Sequence, residues 1–263
     1  MIKLIASDLD GTLLPEHGQN LSDRTLDLIH QITEKGIHFV SASGRQYDNQ
    51  RRVFEKIKDE ISYIAENGSI CIHDGEVVDR TSIAPSLCKR IMEEIKTDGR
   101  FEAVISCDRT CYIEDRDKDY VHLVTGIMKN TTDIIDDIRN ITEPILKIAI
   151  CNMRYDGDVF MAYLKHLKEL FKDEIKIVTS GNVWIDFIAP GSNKGTALQA
   201  LMKKFDVKPE ECMAFGDQYN DIEMLKLVKY SYTMTHCAPG VEKYSVYQTE
   251  HVEDVLEELL SKL

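Results

Sequence analysis

Long apolar runs are missing from this chain of 263 residues. No stretch approaches the roughly 18 apolar residues that a membrane span requires. The opening MIKLIASDL contains one lysine and no long apolar segment, which does not fit the pattern of a signal peptide. We therefore predict a cytoplasmic protein that has no membrane partner.

Net positive charge is also missing. The chain has 32 lysine and arginine residues against 45 aspartate and glutamate residues, which gives a formal net charge of −13. Such a surface does not attract nucleic acid or anionic lipid, so we predict that neither is a partner. An anionic substrate would need positive charge supplied locally by its binding site.

Cysteine and histidine do not cluster in the spacing of a zinc site. The seven cysteines are scattered, and their only close pair is CDRTC, with no second group of Cys or His to complete the ligands. In a cytoplasmic protein we expect all of them to be reduced packing residues. They are Cys71, Cys88, Cys107, Cys111, Cys151, Cys212 and Cys237.

Apolar strands alternate with amphipathic helices at both ends of the chain. In the first third, KLIAS, IHFVSAS and SYIAENG read as strands, and helices are predicted over 22–35, capped by Ser22, and over 46–57. The last third continues with helix 193–204, strand CMAFG, helix 219–227, strand YSYTM and helix 252–262. This alternation predicts a Rossmann-like α/β fold whose parallel sheet is covered on both faces.

The middle of the chain follows a different pattern. Amphipathic helices are predicted over 85–97 and 156–171, and each precedes a pair of strands, within FEAVISCDRTCYIED and IKIVTSGNVWIDFI respectively. Two such helix–hairpin units predict an antiparallel α+β domain. We therefore predict a domain inserted at 82–189 into an α/β core made of 1–81 and 190–263.

The segment SDLDGTLL places two aspartates at the end of the first strand. Asp8 and Asp10 are two residues apart, so their side chains leave the strand on the same side and bring like charges together. This arrangement costs free energy unless a cation or a proton resolves it. The acidic segment DQYND, taken alone, has a turn or helix cap as its alternative interpretation.

Other polar groups follow the remaining core strands, and ligands of open parallel sheets bind at those strand ends. Lys194 lies in the first turn of a predicted helix, where the dipole favours an anion beside it; a solvated lysine is the alternative. Several aspartates at one edge indicate a hard cation such as Mg²⁺, which shares its coordination with a substrate phosphate. The other candidates at the strand ends are Ser43, Gly44, Arg45, Asp217, Asn220 and Asp221.

The segments DLDGTL, SASGR, SNKGTAL and GDQYND, in this order, resemble the motifs of the haloacid dehalogenase superfamily. The whole chain is similar to the Cof-like branch of phosphatases, in which a mixed α/β cap is inserted between the second and third motifs. The resemblance implies that Asp8 attacks phosphorus and forms an aspartyl-phosphate. It also implies that Asp10 protonates the leaving group and then deprotonates the attacking water.

The same resemblance implies Mg²⁺-dependent hydrolysis of a small phosphorylated metabolite, with a sugar phosphate as the expected class. It makes 1–81 and 190–263 the catalytic core and 82–189 the cap that selects the substrate. The residues expected to hold Mg²⁺ are Asp8, Asp10 through its backbone carbonyl, and Asp217, with Asp221 at the same metal site orienting the waters on the ion. The residues expected to contact the substrate are Leu9, Ser43, Gly44, Arg45, Lys194 and Asn220.

Two other functions remain open at this point. A phosphomutase would use the same residues and return the phosphoryl group to a second hydroxyl, whereas a regulatory domain would only carry a phosphate on aspartate. We predict a monomer or a weak homodimer. Candidate substrate contacts in the cap are Arg109, Arg116 and Trp184, with packing as the alternative for Trp184.

One segment departs from the pattern of the Cof-like branch. Where that branch usually has Met-x-Asn-Ala, this chain has MTHCA, so that His236 and Cys237 occupy the loop. His236 either contacts the site or is a hydrogen-bonded surface residue. This difference leaves the fine specificity open and does not alter the predicted reaction class.

Overall fold

The computed structural model describes residues 1–14, 18, 20–154, 156–180 and 183–263. The chain divides into two compact units: Met1–Arg80 with Ser192–Leu263 form the first, and Thr81–Gly191 form the second, inserted unit. The assignment of the first unit as catalytic and of the second as specificity-determining stays a prediction.

The strands and helices are numbered in chain order. The strands are β1 (Leu4–Ser7), β2 (His38–Ala42), β3 (Ser62–Ala65), β4 (Ile70–His73), β5 (Glu76–Arg80), β6 (Glu102–Ser106), β7 (Cys111–Ile113), β8 (Thr132–Ile134), β9 (Lys147–Cys151), β10 (Lys176–Ser180), β11 (Trp184–Ile188), β12 (Cys212–Gly216), β13 (Tyr230–Met234) and β14 (Tyr247–Thr249). The helices are α1 (Asp23–Glu34), α2 (Tyr47–Val53), α3 (Pro85–Asp98), α4 (Lys118–His122), α5 (Gly157–Leu170), α6 (Lys194–Phe205), α7 (Ile222–Leu227) and α8 (Val252–Leu260).

The first unit contains a mixed sheet with the strand order β14-β13-β12-β1-β2-β3-β4-β5. The pairs from β14 through β3 are parallel, which confirms the predicted α/β fold. Its central strand β1 is buried along its whole length. On one face of the sheet, Leu4 and Val40 pack against Leu198 and Leu201 of α6 and Met224 of α7.

An antiparallel hairpin extends this sheet beyond β3, and the sequence analysis did not predict it. Strand β4 pairs with β3 and with β5, and both pairs are antiparallel. The turn between β4 and β5 is Asp74-Gly75, with φ of 52° and 75°. An Asp-Gly pair with positive φ at both residues matches the right-handed twist of the flanking strands, so the turn signal was present in the sequence.

Predicted helix ends differ from the observed ones in two places. Beyond Val53 the predicted helix 46–57 gives way to turns, in which the Ile57 N–H donates to the carbonyl of Phe54 (2.8 Å). The predicted helix 219–227 starts as a 3₁₀ turn at Tyr219–Asp221 and becomes α-helical only at Ile222. The first predicted helix is correct, and its cap Ser22 accepts a hydrogen bond from the Thr25 N–H (3.0 Å).

The inserted unit has its own sheet, with the strand order β10-β11-β9-β6-β7-β8. All of its pairs are antiparallel except β7 with β8. Both predicted hairpins form, although residues 181–182 of the second one lie outside the described residues. One face of the sheet is covered by α3 and α5, where Ile91, Leu164 and Leu167 pack against Ile148 and Phe187.

Two predictions about the whole chain can be compared with the structure. All seven cysteines are free and six of them are buried, as expected for packing residues. In the part of the chain that the structure describes, no helix is long and apolar enough to cross a membrane.

Two half-buried histidines of the first unit lie against the ring of Phe205. The His38 ring stacks on it with 3.7 Å between centroids, and the His73 ring meets it edge-on at 4.7 Å. Burial lowers the pKa of both histidines; His73 lowers that of His38 further, and Asp74 opposes the shift at both. Lys204 adds to the lowering of the His73 pKa.

We expect acid to destabilise the first unit through these histidines. The unfolded chain takes up protons near the ordinary histidine pKa of about 6.5, whereas the folded chain resists protonation until lower pH. The stabilising difference is therefore complete above about pH 6.5 and decreases as the pH falls below it. These two histidines are expected to lower the urea midpoint, followed by far-UV circular dichroism, between about pH 7.5 and about pH 5.5. His30, whose pKa is raised by its hydrogen bond to Glu60, acts in the opposite direction.

The matched variants separate this effect from other titrations. His38→Phe keeps a ring on Phe205 and cannot be protonated, so its midpoint is expected to fall less over the same pH range. His251→Phe, which changes an exposed histidine elsewhere in the unit, is the control. A His38→Phe variant with the same pH dependence as the parent would contradict the explanation.

Candidate active site

The predicted site residues lie beyond the carboxyl ends of neighbouring strands. Strand β1 pairs in parallel with β2 and with β12, and Ser7 is in register with Ser41 on one side and Phe215 on the other. Asp8 follows β1, Ser43 follows β2 and Asp217 follows β12. This edge is the position at which open parallel sheets bind ligands.

Lys194 and three aspartates form a buried cluster at this edge. The Lys194 Nζ donates to Oδ1 of Asp8 and to Oδ1 of Asp221, the latter at 2.6 Å. Lys194 and Asp221 are fully buried, and Asp8 and Asp217 are 5% and 3% exposed. The solvated-lysine alternative is therefore wrong, because this ammonium group lies between two carboxylates and out of water.

The pKa values in the cluster are shifted by burial and by charge. Burial raises the pKa of Asp8 well above its usual value; the Lys194 ammonium opposes this, and the nearby aspartate charges add to it. Burial also raises the pKa of Asp217, and the charge of Asp221 adds to that shift. For Lys194, burial alone would lower the pKa, but the charges of Asp221 and Asp8 outweigh it and raise the pKa. Lys194 is therefore the stable positive charge of the cluster.

The cluster has the donor set of a divalent metal site. One carboxylate oxygen from each of Asp8, Asp217 and Asp221 lies within 4.8 Å of the others. When all three are ionised, they carry two more negative charges than Lys194 neutralises. Buried charges require such compensation, and Mg²⁺ prefers carboxylate oxygens. These residues therefore fit a divalent cation.

Backbone and side-chain donors hold the two acids that follow β12. Oδ2 of Asp221 accepts from the N–H groups of Asp217 and Gln218, both at 2.9 Å. Asp217 accepts from the Thr12 hydroxyl (3.0 Å) and from the Gln218 side-chain amide (3.0 Å). The alternative interpretation of DQYND as a cap is therefore half correct: Asp221 caps its own turn with one oxygen and binds Lys194 with the other.

Asp10 lies outside the buried cluster. Its side chain is 47% exposed and faces Arg45, whose Nε donates to Asp10 Oδ2 at 2.9 Å. Leu9, between the two aspartates, is fully buried, and its carbonyl accepts from the Leu14 N–H (2.7 Å). The predicted substrate contacts of Arg45 and Leu9 stay predictions.

Asn67 joins the site residues and was missed from the sequence. It follows β3 in the segment ENG, has a left-handed φ of 57° and accepts from the Asn220 side-chain amide through Oδ1 (2.9 Å). The Asn67 N–H donates to the carbonyl of Ser43 (3.1 Å), and a Cβ at Gly44 would lie 3.0 Å from the Asn67 amide. The available signal was Asn-Gly one residue beyond a strand, which is typical of a left-handed turn.

Two glycines allow the loops to approach one another closely. Gly11 has a φ of +84°, and a Cβ there would lie 2.6 Å from Oδ2 of Asp217. Gly68 has a φ of +95°, and a Cβ there would lie 2.2 Å from the Asn193 carbonyl, next to the start of α6. Any other side chain would collide with its neighbour and strain the backbone. Glycine is therefore required where the loops meet.

The other sequence candidates have contacts of their own. His236 lies with Nε2 2.9 Å from the Gly11 carbonyl, and the adjacent Cys237 is half-buried. In the inserted unit, Arg116 donates to the Gly99 carbonyl (3.3 Å). Trp184 packs against the apolar cluster that contains Tyr120 and Val124, which favours the packing alternative for it.

Comparison with known proteins identifies the family of this chain. The family model of the haloacid dehalogenase-like hydrolases matches residues 5–259. The chain is 28% identical over 264 residues to the 5-amino-6-(5-phospho-D-ribitylamino)uracil phosphatase of Escherichia coli (strain K12), covering 98% of this chain and 96% of that protein. It is 28% identical over 247 residues to the HMP-PP phosphatase of Cronobacter sakazakii, covering 91% and 86%.

Solved structures share the fold over the same extent. A haloacid dehalogenase-like hydrolase from Bacteroides thetaiotaomicron superposes with a TM-score of 0.87 at 24% identity, covering 98% of this chain and 100% of the other. The match of the family model extends across both segments of the first unit and the inserted unit between them. The chain therefore belongs to the family of haloacid dehalogenase-like hydrolases, as its four motifs predicted.

Proposed function

We propose that this hydrolase is a Mg²⁺-dependent phosphatase that acts on a small phosphorylated metabolite through a phosphoryl group carried on Asp8. The observation that supports this most strongly is the buried Asp8 carboxylate in contact with Lys194, beside the carboxylates of Asp217 and Asp221. A carboxylate in this position is a candidate nucleophile, because the groups that would compensate charge on a bound phosphate already surround it.

In the first step, Asp8 attacks phosphorus and the bond between phosphorus and the leaving oxygen breaks. Asp10 gives a proton to that oxygen. In the second step, Asp10 takes a proton from water, whose oxygen attacks the phosphoryl group and frees Asp8. Inorganic phosphate then leaves, and both aspartates return to their starting states.

The remaining residues would bind the phosphoryl oxygens, on which negative charge is redistributed during the transfer. Lys194 supplies a positive charge, and the Ser43 hydroxyl, the Gly44 amide and the Asn220 side-chain amide supply hydrogen bonds. Asp8, Asp217, Asp221 and the carbonyl of Asp10 would hold Mg²⁺, which offsets negative charge on the phosphate and the carboxylates when bound. This local positive charge lets an acidic protein bind an anion.

The proposed substrate class is a phosphomonoester on a sugar or sugar-derived chain. One relative is named for a substrate that carries a 5-phospho-D-ribityl group, and another is named for HMP-PP. A phosphomutase would keep the phosphoryl group on the substrate, so release of inorganic phosphate distinguishes the two reactions. The alternative of a purely regulatory phospho-aspartate domain is not proposed, because the chain belongs to a hydrolase family.

We expect phosphate release from a panel of phosphorylated metabolites, and loss of that release in Asp8→Asn. The amide cannot form the covalent intermediate, so activity should fall by at least about 10³-fold. Brief incubation of the parent with substrate, followed by acid quench and mass spectrometry, should show a mass increase of one phosphoryl group. Asp27→Asn, an exposed change on α1, is the control and should keep full activity. A phosphorylated Asp8→Asn protein would contradict the assignment.

We expect Mg²⁺ to stabilise the folded protein and Asp217→Asn to weaken that effect. A ligand that binds only the folded state raises the thermal midpoint with concentration, and Asp217 supplies one of the clustered carboxylates. The measurement is the midpoint across a Mg²⁺ titration, with EDTA as the baseline. Equal shifts in the parent and in Asp217→Asn would exclude Asp217 from the metal site.

We expect Lys194→Met to destabilise the protein and to remove activity. The change leaves Asp8 and Asp221 buried without their cation, which costs about 3–5 kcal/mol for comparable buried pairs. Chemical unfolding measures this cost, and Lys203→Met on the exposed side of the same helix is the matched control. Mg²⁺ should recover part of the stability without the activity. Unchanged stability in Lys194→Met would contradict the charge argument.

A further inference from the structure

The turn that carries Asp10 is closed by its own backbone. We call residues 9–14 the Asp10 turn. The Leu14 N–H donates to the Leu9 carbonyl (2.7 Å), and the Gly11 N–H donates to the Leu14 carbonyl (2.9 Å). These two hydrogen bonds close the turn on itself, so the position of Asp10 depends on how the turn as a whole is held.

Two side chains from distant strand ends hold the Asp10 turn. The Thr12 hydroxyl donates to Asp217 (3.0 Å), and His236 approaches the Gly11 carbonyl with Nε2 at 2.9 Å. Because a carbonyl oxygen only accepts hydrogen bonds, this contact requires the proton on Nε2 of the imidazole. The contact is made to the carbonyl of Gly11, the residue that directly follows Asp10.

The loop after β13 contacts both the Asp10 turn and Asp217, which follows β12. Two residues beyond His236, the Ala238 N–H donates to the Asp217 carbonyl (2.8 Å). On the other side of the turn, Arg45 binds the Asp10 carboxylate. Asp10 is thus held in two ways. Its carboxylate binds Arg45, and the backbone next to it is contacted by the His236 side chain.

We propose that His236 is a positioning residue that fixes the Asp10 turn and so places the acid–base carboxylate for proton transfer. The inference rests on the proposed function, because it matters only if Asp10 transfers a proton. The contact of His236 is with the Gly11 carbonyl, so it would act on Asp10 through the backbone of the turn. A small displacement of a reacting group costs up to about 10²-fold in rate. An exposed residue such as His236 can therefore affect catalysis if its loss lets Asp10 move.

Leaving-group dependence separates this role from a purely structural one. p-Nitrophenolate leaves without a proton, whereas phenolate gains more from protonation as its bond to phosphorus breaks. A misplaced Asp10 therefore slows phenyl phosphate more than p-nitrophenyl phosphate. The ratio kcat/KM reports the steps up to leaving-group departure, and general loss of folded protein lowers it equally for both substrates.

The experiment compares the two substrates at saturating Mg²⁺. We expect His236→Phe and His236→Ala to lose about tenfold in kcat/KM on phenyl phosphate and less than about threefold on p-nitrophenyl phosphate. His236→Gln, whose amide donor reaches a similar position, should recover most of the loss. Thr235→Ala, an exposed neighbour, is the control and should match the parent on both substrates.

Asp10→Asn is the reference that distinguishes two kinds of failure. One outcome is that Asp10→Asn lowers kcat/KM more on phenyl phosphate than on p-nitrophenyl phosphate while the His236 variants lower both equally. In that case the positioning role is wrong and the proposed function stands. If Asp10→Asn slows both substrates equally, the acid–base assignment fails and the positioning role fails with it. A third outcome would overturn the role of the hydrogen bond. In it, His236→Phe and His236→Ala slow phenyl phosphate more than p-nitrophenyl phosphate, but His236→Gln does not recover the activity.

Discussion

A buried ammonium group between two carboxylates constrains the architecture of the first unit. Lys194 is fully buried and donates to Asp8 and to Asp221. Removing charges from water is costly, and each charge in the interior must find a partner with good geometry. The cluster is therefore stable only when β1, the start of α6 and the loop after β12 lie together. The strand order of the sheet, with β1 beside β12, provides that juxtaposition.

Close packing at two glycines allows β1, the start of α6 and the loop after β12 to lie together. A Cβ at Gly195 would lie 2.7 Å from the Glu223 carbonyl, so the second residue of α6 permits close contact with α7. A Cβ at Gly216 would lie 2.5 Å from the Asp221 side chain, at the end of β12. The approach of these elements brings Lys194 within reach of its carboxylates. Small residues thus contribute to the charge arrangement without carrying any charge themselves.

The sequence predicted the features that depend on local pattern. Alternating strands and helices indicate a parallel sheet, and acids directly after strands indicate a shared edge; both follow from short-range periodicity. Asn67 was missed because its importance comes from a bond to Asn220, which is 153 residues away in the chain. The contact of Arg45 with Asp10 was missed for the same reason, since an arginine after a strand has many possible partners. The β4–β5 hairpin, by contrast, carries a local signal in its sequence, the Asp74-Gly75 turn with positive φ at both residues.

The pairing of β1 with β12 has a consequence for how the molecule is made. Asp8 and Lys194 are 186 residues apart, and the inserted unit is synthesised between them. The first 80 residues supply β2 as one neighbour of β1, whereas the other neighbour, β12, and the counter-ion of Asp8 come from beyond the inserted unit. The central sheet can close only after β12 emerges. The central sheet and the buried cluster at its edge can therefore be completed only late in translation, once Lys194 and the strand that leads to Asp217 have been made.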